Sequence, residues 1–167
     1  MEYTKTIYDI FAEFATTIGC KYDYGSFKEL QKRLIEQSKD KTKQVNKYPL
    51  LCLVTPITET RGNNAKYMAE VSVNLLLLAE TSKDYTTAQR VALIYTPTLY
   101  PLFDDLMDEI KNMKYFDTSE FGELEYEYAD LFHYSTSEAK DQNKFAAVLD
   151  GIEITNLKLK VLTQNCL

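Results

Sequence analysis

Tyr48-Pro49-Leu50-Leu51-Cys52-Leu53-Val54-Thr55 and Val71-Ser72-Val73-Asn74-Leu75-Leu76-Leu77-Leu78 decide how this chain is read. The first stretch begins near Lys47 and is nearly all apolar. Pro49 suits a strand start or an edge because it has no N–H to give to a ladder, and Pro56 is expected to end the strand. The second strand is expected over 66–79. There Tyr67, Ala69, Val71, Val73 and Leu75 alternate with Met68, Glu70, Ser72 and Asn74, so one face is apolar and the other mixed. Leu75, Leu76, Leu77 and Leu78 are apolar on both faces, which places that end under a helix. Between the strands lies the turn-rich Thr58-Glu59-Thr60-Arg61-Gly62-Asn63-Asn64. The pair therefore reads as an antiparallel hairpin with a long tip.

Working outward, Ile7, Ile10, Phe11, Phe14 and Ile18 recur at helical spacing over 3–18, and Gly19 is placed to cap that helix. Ser26 and Glu29 have the spacing of a capping box, ahead of a short helix through Leu30, Leu34 and Ile35. Residues 39–46 are polar and read as a loop. C-terminal to the hairpin, 81–84 offers N-caps. Ala88, Val91, Ala92 and Tyr95 then recur at helical spacing, and Pro97 and Pro101 should kink or divide the helix. Leu99, Leu102, Phe103, Leu106, Ile110 and Met113 restore an apolar stripe beyond the prolines. Residues 123–128 alternate acid with apolar residue and read as a third strand. The last strand is expected over about 145–162. Its apolar parity changes from Ile152 and Ile154 to Leu157, Leu159 and Val161, so a bulge at Thr155-Asn156 is needed to keep one inward face. The order predicts a single α+β domain over 1–167. It has a helical N-terminal region over 1–46, then an antiparallel sheet of about four strands with a long hairpin and helices on one face.

A chain of 167 residues with 45% hydrophobic and 26% charged residues is ordinary globular material. A net charge of −6 without a basic stripe argues against a grip on DNA or RNA by the chain itself, and 39–47, though lysine-containing, reads as a solvated linker. Cys20, Cys52 and Cys166 are widely spaced and form no ligand motif, which points to a reducing compartment. No basic-then-apolar leader and no membrane-length apolar run is present. The 13 tyrosines suit half-wet contact surfaces.

Catalytic chemistry finds little to work with. His133 stands in Asp130-Leu131-Phe132-His133-Tyr134 with no partner legible in sequence. Asp104, Asp105, Asp108 and Glu109 have helical spacing and read as a solvated helix face before a Mg²⁺ or Ca²⁺ site. Glu123, Glu125 and Glu127 share one strand face, which suggests exposure to water or to a basic partner. Thr60, Arg61, Gly62, Asn63 and Asn64 fit no phosphate-binding loop and are the candidate assembly element at the hairpin tip.

The block from Lys47-Tyr48-Pro49 through Tyr67-Met68-Ala69-Glu70 and Leu75-Leu76-Leu77-Leu78 resembles the neck and tail-completion proteins of tailed bacteriophages, the tail terminators and head–tail joining proteins. It is followed by Tyr85-Thr86-Thr87-Ala88-Gln89-Arg90, then Leu99-Tyr100-Pro101-Leu102. The closing Leu149-Asp150-Gly151-Ile152-Glu153-Ile154 resembles proteins of phages that infect gut Bacteroidetes. The resemblance implies a homo-oligomeric ring without catalytic site, cofactor or metal. It sits in the virion neck or tail after assembly in the host cytoplasm, touches portal, neck or tail proteins, and surrounds a channel through which DNA passes unbound. The long N-terminal region departs from that pattern. Two other classes remain open on the residues: a soluble cytoplasmic adaptor or immunity-type binding protein, and a metal-dependent hydrolase built on the acidic clusters.

Overall fold

The computed structural model describes residues 6–39, 47–61, 68–112, 115–117, 124–134 and 148–162. The elements are α1 (Ile7–Ile18), β1 (Lys21–Gly25), α2 (Phe27–Lys39), β2 (Leu50–Arg61), β3 (Met68–Glu80), α3 (Thr87–Arg90), a π-helical segment (Val91–Leu99), α4 (Tyr100–Asn112), β4 (Glu127–Tyr134) and β5 (Leu149–Leu162). No helix is long and apolar enough to cross a membrane among the described residues.

The fold is α+β, but the sheet is mixed, with five strands among the described residues in the order β1-β2-β3-β5-β4. The expected hairpin is present: β2 and β3 pair antiparallel from Leu50↔Leu78 to Arg61↔Ala69. β1 is the strand that sequence patterning did not provide, and it pairs parallel to β2 from Lys21↔Leu50 to Gly25↔Val54. The N-terminal region is therefore a helix, a strand and a second helix. Pro56 does not end β2. The strand continues to Arg61 through a register shift between Val54 and Thr58, which absorbs the missing N–H.

Local sequence sets the helix ends. Thr6 caps α1 in a reciprocal box with Asp9, and Gly19 closes it at φ 78°, a left-handed conformation open to glycine. Ser26 and Glu29 form the expected box at α2. At α3 the cap is Thr86 with Gln89, not a residue of 81–84. The helix then passes through Pro97 without a break. It widens to π-type bonding, in which Tyr100 N donates to Tyr95 O, and the widening accommodates the missing donor. That change of pitch also breaks the expected stripe: Tyr95 and Leu99 are buried, whereas Ala88 and Ala92 are exposed.

Helices cover both faces, not one. On one face α1, the π segment and α4 pack over Leu51, Leu53, Val73, Leu75, Leu77, Ile152, Ile154 and Leu157. On the other, Leu30 and Leu34 of α2 meet Leu50, Cys52, Leu76, Leu78, Tyr134 and Leu149. The connections explain this. α2 joins parallel neighbours β1 and β2, and the π segment with α4 joins β3 to β4, which runs parallel to it across β5. Both steps move the same way across the sheet while β1 and β3 point in opposite directions, so two crossovers of one hand lie on opposite faces. Leu76 and Leu78 thus lie under α2, while Leu75 and Leu77 lie under the π segment and α4.

The bulge in the last strand lies where the parity change places it. Val73 pairs with Leu157 but Leu75 with Ile154, and Asn156 takes φ 54° with its N–H donating to Asn74 Oδ1 at 2.9 Å. Ile152, Ile154, Leu157 and Leu159 all enter one core. Asn156→Val forces a β-branched residue into a left-handed conformation and destabilises by about 1–2 kcal/mol, whereas Asn156→Gly stays within about 0.5 kcal/mol of wild type. Urea unfolding midpoints of the two variants check this.

Candidate functional site

Among the described residues β1 and β4 are the outer strands of the sheet, and both carry exposed aromatics. On β1, alternation directs Tyr22 and Tyr24 to the α1 face. There Tyr24, 49% exposed, lies 4.7 Å from the Tyr8 ring and stacks on Tyr22 at 6.1 Å. Asp23 points to the opposite face and takes a two-pronged ion pair from Arg33 of α2 at 2.9 and 3.0 Å. Between α1 and β1 lies an open cleft of about 460 Å³ bordered by Ala12, Thr16, Cys20 and Tyr22. Burial pushes the Cys20 thiol up to about 11, so it is a protonated wall of the cleft and not a nucleophile at neutral pH.

The acidic strand face is shorter than its sequence suggests. β4 begins at Glu127, and 124–126 approaches it alongside β5, with Lys158 N donating to Glu125 O at 3.0 Å. Glu125 forms an ion pair with Lys158 at 2.7 Å, and Glu127 accepts from Thr155 Oγ1 at 3.3 Å. Both carboxylates are on the α2 side of the sheet, and Glu123 lies outside the described residues. Tyr126 and Tyr128 point to the other face and pack on Phe103 at 6.1 and 4.9 Å. Of the hairpin-tip candidates, Thr60 pairs with Glu70 and Arg61 with Ala69. Gly62, Asn63 and Asn64 lie outside the described residues. Asp104, Asp105 and Asp108 are exposed on α4, and no group of three or more His, Cys, Asp or Glu is placed to hold a metal among the described residues.

A polar cluster that sequence reading missed joins the helix to the β4 edge. Asp150 is fully buried, with Oδ1 2.6 Å from Arg90 Nε and 3.1 Å from His133 Nδ1. A carboxylate only accepts, so His133 Nδ1 carries the proton and leaves Nε2 outward. Arg90 Nη2 also donates to the carbonyls of Leu131 and Phe132, and Tyr95 Oη lies 3.1 Å from Phe132 O and 2.9 Å from Gly151 O. Burial, reinforced by the Asp150 charge, pushes the Tyr95 hydroxyl up to about 12, so it remains a donor at neutral pH. These bonds hold a bulge in β4 between Ala129 and Phe132, where Leu131 adopts φ 60°. Arg90, closer to the carboxylate than the imidazole is, neutralises Asp150, so the geometry is that of a staple between helix and strand. One sequence signal pointed to it: Asp150 shares the inward parity of Ile152 and Ile154, and a buried carboxylate demands a cation.

No protein-family model, curated protein or solved structure matches this chain. The functional argument therefore rests on the residues and their geometry.

Proposed function

We propose that the chain is a structural ring-forming subunit of a phage neck or tail, of tail-terminator or head–tail connector type, surrounding the channel through which DNA passes. The observation that carries this reading is an open sheet whose two outer strands are unlike and both expose aromatic surface, Tyr24 on β1 and Tyr128 on β4. Closed rings are built head to tail from two different surfaces of one subunit, and exposed tyrosine is favoured at protein contacts. The resemblance of the hairpin-and-helix block to neck and tail-completion proteins supports the same class. A net charge of −6 suits a wall that DNA slides past. Light scattering and electron microscopy of the concentrated protein are expected to reveal closed rings with a central channel. A monodisperse monomer at every concentration overturns the reading.

A further inference from the structure

We propose that the outer edge of β4 binds an extended, arginine-bearing segment of a partner protein, which adds to the sheet as a strand and sets its guanidinium on Asp130. This edge is available whether or not copies close into a ring. The two outer edges are not equally open. On β1 the outward N–H of Tyr24 donates to Asp23 Oδ1 at 2.8 Å and its carbonyl accepts from Arg33 Nη2, so that edge is closed to a further strand. β4 has no such cover among the described residues. Glu125 O accepts from Lys158 N, and alternation turns Glu127 and Ala129 toward β5 as well. The N–H and C=O of Tyr126 and Tyr128 therefore point off the sheet, without a bonding partner among the described residues. The open run stops at the Leu131 bulge, where Arg90 Nη2 takes the carbonyls of Leu131 and Phe132.

The side chains along this run decide what the added strand carries. Half-buried Asp130 accepts from the hydroxyls of Tyr100 at 2.8 Å and Tyr128 at 3.4 Å, both on Oδ2. Among the described residues nothing donates to its Oδ1 and no cation pairs with it. Beside it Tyr128 is 41% exposed and is backed by Phe103, edge to face at 4.9 Å. A ring next to a carboxylate with a spare oxygen suits arginine, whose planar guanidinium stacks on an aromatic while donating to a carboxylate. On the opposite face of the same run Glu127 is exposed, so the edge is acidic on both sides. Strand addition then draws affinity from main-chain bonds and specificity from alternate side chains.

Titration of the full chain, followed by NMR, tests this with a capped peptide of valine and threonine around a central arginine. Its citrulline counterpart and two forms N-methylated on alternate backbone nitrogens complete the set. The arginine peptide is expected to shift the Tyr126 and Tyr128 amides saturably. Citrulline, Asp130→Asn in the chain, and one of the two methylation patterns are each expected to weaken binding about tenfold or more. Asp130→Asn keeps an oxygen for the two tyrosine hydroxyls, and circular dichroism verifies its fold. Citrulline binding as tightly as arginine, or wild-type affinity in Asp130→Asn, overturns the recognition of charge. Both methylated peptides binding like the unmodified one overturns strand addition. No shift at millimolar peptide overturns the site outright. So does the same pattern of shifts on concentrating the chain alone, which makes a second copy the occupant.

Discussion

Asp150→Ala lowers the free energy of unfolding by about 3–5 kcal/mol, the cost of stranding a buried charge. Asp150 is fully buried, and Arg90, with a side chain 11% exposed, has it as its ion-pair partner. Removing the carboxylate leaves the guanidinium desolvated beside an apolar side chain and frees the His133 ring. The loss comes chiefly from the unpaired cation and not from a favourable pair energy, so an apolar replacement of both partners, Arg90→Met with Asp150→Leu, recovers most of it. Urea denaturation of the single and double variants separates these two origins. Asp150→Ala alone behaving like wild type would mean that Arg90 reaches water.

Phe14→Ala costs about 3–5 kcal/mol by leaving a cavity in a close-packed interior. Phe14 is fully buried, meets Phe11 edge to face at 5.3 Å, and lies 6.0 Å from Phe116. Phe116 in turn bridges to Val161 of β5. The ring therefore ties the N-terminal helix to the far end of the last strand, and its loss is felt by both. Leu93→Ala, at a site 51% exposed, is the control and stays within about 0.5 kcal/mol of wild type. A thermal or urea midpoint for Phe14→Ala as mild as that control would refute the tie.

Sequence patterning found what is local. α1 was legible because its apolar stripe and Gly19 agree, and the hairpin because two apolar strands flank turn residues. The β5 bulge was legible because one strand had two parities. What escaped depends on distant chain. β1 is Lys21-Tyr22-Asp23-Tyr24-Gly25, short and polar, and becomes a strand through its pairing with 50–54. That α2 covers the second face follows from connection handedness, which a stripe of Leu30 and Leu34 does not encode. β4 was placed too early because Glu123, Glu125 and Glu127 alternate cleanly, while Leu131 at its bulge breaks the alternation of the true strand. The partner of His133 was hidden by the same nonlocality: Asp150 stands opposite it on β5, 17 residues away in the chain, and the Arg90 that neutralises Asp150 is 60 residues from it.

The extra residue between Ile154 and Leu157 makes β5 respond to the parity of any change in its length. Loss of one residue there would convert the bulge to regular pairing and keep Leu157 and Leu159 inward, whereas loss of two would turn Lys158 and Lys160 toward the interior and deliver Leu157 and Leu159 to water. A deletion in this segment is therefore tolerated when it removes the one surplus residue and not when it removes a pair.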